Sequence, residues 1–317
     1  MGQVAEAGGP RAAAIVAVTT LRSTDRQRAT ASRTRRTIRR RKLVNAVMVA
    51  LLACSALIAA LPLVFILAHL LRAGASSLSW AFFTELPKSV GETGGGMANA
   101  ITGTLILVAI ASVIGLPVGV GAGLFLVERA GTRLASTVRF VADVLNGLPS
   151  IVMGIFAWNL LVRPIGHFSA LSGSLALAAM MVPMVTRTTE EIVRLVPVSL
   201  REAALALGYS RARTSLTIVL RTAMAGIVTG ALVAVARIAG ETAPLIFTAF
   251  GNQFASVALD RPIAALPLQI YTYAVSPYDD WHAKAWAGAL VLIVLVLALS
   301  LAARAATRAR YDAGSGA

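Results

Sequence analysis

The chain has a single cysteine, Cys54, three lysines, and few charges of either sign: Asp, Glu, Lys and Arg make up 14% of its 317 residues. One sulfur closes no disulfide within the chain and builds no thiolate metal cluster. His69, His167 and His282 stand far apart, without metal-ligand spacing, so no metal site is expected. None of Lys42, Lys88 and Lys284 follows a Gly-x-x-x-x-Gly run, so the chain does not hydrolyse ATP through a phosphate loop. No nucleophile–base pair is visible either, and a membrane enzyme is disfavoured.

What is plentiful is apolar sequence. Hydrophobic residues reach 57%, against about 45–50% in soluble domains, which points to a polytopic membrane protein. Six segments approach the roughly 20 apolar residues needed to cross hydrocarbon: 43–71, 98–127, 137–162, 168–186, 223–249 and 285–303. The third holds Asp143, Asn146 and Pro149, and the fourth ends near Pro183. An all-α protein of six transmembrane helices is therefore expected. "LLAC" (51–54) looks like a lipoprotein box, but the apolar run continues past it and argues against lipidation.

The net charge of +15 is unevenly placed, with eleven of the 29 Lys and Arg residues in the first 42 positions. That tail, expected to be disordered, reads as the cytoplasmic flank of a span and not as a nucleic-acid arm. Arg129 and Arg133 mark the next basic loop, and 187–222 carries Arg187, Arg194, Arg201, Arg211, Arg213 and Arg221. Arg304, Arg308 and Arg310 end the series, while the intervening loops are poor in cations. Both termini and the 187–222 loop are thus expected on the cytoplasmic side.

The 187–222 loop is patterned. Thr188 with Glu191, and Ser199 with Glu202, each fit a capping box at a helix start. "REAALALG" reads as a short helix stopped by Gly208, with Ala203, Ala204 and Leu207 as an apolar face for a partner's groove.

"ARIAGETAPLIF" (236–247) places Arg237 and Glu241 inside an apolar run, four residues apart and hence on one helix face. Charges at that depth are costly and mark function by default, although a mutually neutralised structural pair is the alternative. Arg presents a planar fork that matches two phosphate oxygens, and Glu241 would compete for it so that the anion can leave. Pro244 is expected to break the helix after the pair, and Gly240 to let another backbone come close, which marks a deformable point. Asp143 is a weaker pathway candidate. The aromatic stretch 271–286 suits an external interface where tyrosines anchor.

Glu202, Ala203, Ala204, Gly208, Ile218 and Leu220 fall on the EAA-loop pattern of ATP-binding cassette importer permeases, which the chain resembles; Arg221 stands where that family usually has Pro. "GGGMANAITGTLILV", "LPSIVMGIFAW", "ARIAGETAPLIFTAF" and the 266–292 stretch are similar to the second permease of the phosphate-uptake branch, over about residues 43–310. The resemblance implies a type I importer permease (MetI-like) fold for 43–310, flanked by tails 1–42 and 311–317. It implies a 187–222 coupling loop and no cofactor on this chain, with ATP and Mg on a partner ATPase dimer. It also implies a sister permease, a periplasmic or lipid-anchored phosphate-binding protein, surrounding membrane lipid and no nucleic acid. Two readings stay open beside it: another oxyanion or solute as cargo, and a proton-coupled secondary transporter using Asp143 and Glu241.

Overall fold

The computed structural model describes the backbone of residues 10–89, 92 and 94–314, with side chains from residue 40 to 301. Residues 1–9 and 315–317 lie outside the described residues, and with them parts of the two expected tails. The chain forms two compact units that divide after Leu67.

The first unit is most of helix α1, Pro10–Gly74, whose backbone is helical through the stretch where a disordered tail is expected. Its apolar part, Arg40–Ser77, is long enough to cross a membrane.

The second unit opens with the short α2, Trp80–Thr84. Two long helices follow, α3 (Ala98–Glu128) and, after a bent pair, α6 (Ala170–Arg194). The bent pair is α4 (Arg133–Gly147) and α5 (Ser150–Ile165), which meet at 108°. It occupies the third span expected over 137–162, where Pro149 reads as a kink. The cause is Pro149: the residue before a proline is pushed out of the α region, and Leu148 sits extended at φ −74°, ψ 137°. Among the described residues, five helices are long and apolar enough to span, or six if the bent pair counts as one.

The remaining elements are α7 (Val198–Ala206), α8 (Arg211–Ala239), α9 (Ala243–Thr248), α10 (Leu266–Ala274) and α11 (Asp279–Gly314). Two expected bounds change. The span expected over 168–186 continues to Arg194, and the one expected over 223–249 stops at Ala239, with α9 as a separate piece.

Helix α6 is the centre of the unit. Leu177, Met181 and Val185 on it meet Leu107 and Ala111 of α3 and Ile238 of α8 in one buried cluster. Close approach of α3 depends on glycines four residues apart. A Cβ on Gly115, Gly119 or Gly123 would fall 2.9 Å from Met181 Sδ, 2.7 Å from Val185 Cβ and 2.5 Å from Thr189 Cβ respectively. Small residues at this spacing let membrane helices pack backbone to backbone. Gly123→Ala should therefore cost about 1–3 kcal/mol, the usual penalty of overpacking, read as a lower melting temperature of the detergent-solubilised protein; an unchanged melting point would show that α3 yields freely.

Candidate functional site

Arg237 lies in the last turn of α8, and the helix stops before Glu241. Gly240 caps it, its N–H donating to the Arg237 carbonyl at 3.1 Å, and α9 restarts at Ala243 with Pro244 in its first turn. The expected shared helix face is thus replaced by a break between the two charges. Arg237 Nε is 3.7 Å from Glu241 Oε1, a loose pair, with 54% of the Arg237 side chain exposed and 16% of Glu241. The break is what the composition dictates: Gly240 is a poor helix former, and Pro244 has no N–H to continue the ladder. The result is a cation held at the end of an apolar helix with most of its donors unspent.

Asp143 is not beside that pair. Its carboxylate receives Arg187 Nε at 2.9 Å, as part of a cluster around Glu190 that the sequence does not announce. Glu190 is fully buried. Its Oε1 accepts from Arg139 Nε and Nη2 at 2.9 and 2.7 Å and from Arg194 Nη2 at 2.5 Å, and its Oε2 accepts from Arg187 Nη1 at 2.5 Å. Three guanidiniums converge on one carboxylate, so that α4, which carries Arg139 and Asp143, is tied to the end of α6. Burial of such a charge is tolerable only with this many partners.

The same helix corrects the first capping box. Thr188 and Glu191 do not start a helix, because α6 runs straight through them to Arg194. The second is corrected too: Pro197 is the N-cap of α7 and no side-chain cap bond is made there, which leaves Ser199 inside the first turn. The stop is as expected. Gly208 has φ +83°, its N–H donates to Leu205 O at 2.9 Å, and the Tyr209 N–H donates to Ala204 O at 3.1 Å. These are the two bonds of a Schellman stop.

The partner face of α7 is also revised. Ala204 is buried at 5% exposure and faces inward, while Leu200, Ala203 and Leu207 form the exposed stripe beside Glu202. Ile218 and Leu220 are half-buried. Arg221, where a bend was in question, sits inside unbroken α8, and the irregularity comes earlier as a π turn over Thr214–Val219. Nothing lies within 4 Å of a Cβ on Gly208, so Gly208→Ala would suffer from backbone strain alone, about 1–2 kcal/mol. Amide exchange across 205–209 should then quicken by about tenfold; unchanged exchange would mean that the stop does not depend on glycine.

At the other end of the unit, Tyr273 is 4% exposed and stacks on Trp281 at 4.5 Å, so it is a core residue and not an interface anchor; Tyr271 and Tyr278 remain exposed. Burial pushes the Tyr273 phenol above its usual range and keeps it neutral. A cavity of about 240 Å³ opens beside it, lined by Asn252, Gln253, Gln269 and Thr272 among others.

Residues 115–310 match the family described as binding-protein-dependent transport system inner membrane component. The phosphate transport system permease protein PstA of Yersinia pestis is 47% identical over 231 residues, 73% of this chain and 78% of that protein. PstA of Xylella fastidiosa (strain Temecula1) is 46% identical over 269 residues, 84% of this chain and 93% of that protein. Among solved structures, a chain of the inward-facing methionine ABC transporter MetNI superposes with a TM-score of 0.56 at 19% identity, covering 67% of this chain and 96% of that one. This likeness concerns the fold.

Proposed function

The chain belongs to the binding-protein-dependent transport system inner membrane components and, among them, to the PstA phosphate transport system permeases, and we propose that it forms half of the pathway for inorganic phosphate in an ATP-driven importer. A sister permease supplies the other half. An ATPase dimer docks on α7, and a phosphate-binding protein delivers the anion on the opposite face. Loop charge supports placing both termini and α7 in the cytoplasm.

The observation that carries this reading is the half-exposed Arg237 at a helix break, next to a loosely held Glu241. A guanidinium with unspent donors matches two phosphate oxygens, and in a narrow apolar path it lowers the cost of admitting an oxyanion. Glu241, 3.7 Å away, recaptures the cation when the anion leaves. The broken helix is a place where small motions of α8 and α9 open or close that path. No step of ATP chemistry falls on this chain; its work is to hold, admit and release.

Competition tests the cargo. In vesicles holding the assembled transporter, unlabelled phosphate should suppress uptake of labelled phosphate, and equimolar sulfate should not. Equal suppression by sulfate would turn the reading into that of a general oxyanion permease.

A further inference from the structure

We propose that Arg201 is the positioning residue that ties the coupling helix to the transmembrane helices, so that movement of α7 is passed to α3 and α6 together; this rests on the reading of α7 as the ATPase-docking element. Arg201 stands one residue before Glu202, outside the positions that carry the EAA-loop resemblance. Its Nη1 donates to Glu128 Oε1 at 2.8 Å, and Glu128 is the last residue of α3. Its Nη2 donates to the Val193 carbonyl at 3.3 Å, in the last turn of α6.

The two acceptors differ in kind. Glu128 supplies a full charge. Val193 O lies in the last turn of α6, where it also accepts the Val196 N–H at 3.3 Å and where the macrodipole favours a cation. A planar fork reaches both at once; an ammonium, a single point charge on a flexible stem, does not hold two such directions fixed. The side chains are 20% and 30% exposed, so the pair is partly screened from water and sits at the protein face.

The apolar contacts beneath α7 do a different job. Leu124, Val193, Val219 and Ala223 form a plug that joins α3, α6 and α8 to one another, and Ala204 is the buried contact of α7. A packed methyl passes on a push, but it gives no directional hold against a pull. The Arg201 fork gives α7 a directional hold on both helices, within reach of two functional features. Val193 is three residues past Glu190, whose arginines hold α4, and α8 leads from the plug towards Arg237.

The test uses the whole transporter in proteoliposomes, with phosphate uptake and ATP hydrolysis measured in the same vesicles and the ATPase co-purified on this chain. Arg201→Gln should keep the ATPase bound and hydrolysis within about twofold, while uptake falls by about tenfold, the change made by about 1.4 kcal/mol. More ATP is then spent per phosphate. Glu128→Gln should shift the ratio the same way, and Arg201→Lys should be intermediate. The exchange Arg201→Glu with Glu128→Arg rebuilds the ion pair but sets a carboxylate against the Val193 carbonyl, so uptake should stay low. An unchanged ratio of ATP to phosphate in Arg201→Gln overturns the proposal, as does full recovery of uptake by the exchange. Loss of the ATPase from wild-type preparations would instead overturn the docking reading itself.

Discussion

Glu190→Ala should destabilise the protein by about 3 kcal/mol, the lower part of the range for breaking a buried ion pair by removing one partner. The low end applies because the arginines it strands stay partly in water, with 27%, 29% and 53% of the side chains of Arg139, Arg187 and Arg194 exposed. Removal of the carboxylate leaves three guanidiniums facing one another at the end of α6, with Asp143 as the remaining nearby anion. Glu190→Gln keeps the shape and one acceptor but loses the charge, and should fall between alanine and wild type. Thermal unfolding of the solubilised protein checks both. A melting point within a degree of wild type for Glu190→Ala would show that the cluster contributes nothing to holding α4 on α6.

Arg237→Gln is the second large effect. Glutamine is shorter and keeps an amide donor but carries no charge, so it offers an entering oxyanion no compensation in an apolar path. Uptake should be abolished, while the amount of protein, its melting point and its recovery with partner subunits stay near wild type, because a pair 3.7 Å apart and half exposed adds little to stability. Glu241→Gln should act differently: Arg237 loses its competitor, so phosphate is held longer, and the maximal rate falls while the apparent affinity does not. Normal uptake by Arg237→Gln would remove the residue from the pathway.

How far these residues can be seen in the sequence follows from the physics of each. Arg237 is visible because a cation inside an apolar run is costly and calls for a partner or a cavity. Gly208 is visible because a stop at positive φ favours glycine so strongly. The six apolar runs are visible because hydrocarbon thickness fixes their length. Glu190 is invisible for the opposite reason: "RTTEEIVR" is polar apart from Ile192 and Val193, and so polar a stretch looks the same whether it is a loop or a buried helix end. In the fold α6 is packed so deeply that the helix persists past Thr188, which lies against Gly230 of α8, and propensity for a cap is overridden by tertiary contact. The spacing of Arg187 and Arg194 three before and four after Glu190 is the signal that a continuous helix there would have made readable. The break between Arg237 and Glu241 is half legible: Pro244 points to a break after the pair, whereas the helix stops before Glu241, at Gly240.

The most direct measurement is the initial rate of phosphate uptake into proteoliposomes that hold the complete transporter, with binding protein outside, ATP sealed inside and a protonophore present. The account predicts uptake that requires the internal ATP and is indifferent to the collapsed proton gradient. Uptake that proceeds without ATP and vanishes with the protonophore would contradict it, and would make Asp143 and Glu241 the proton carriers of a different machine.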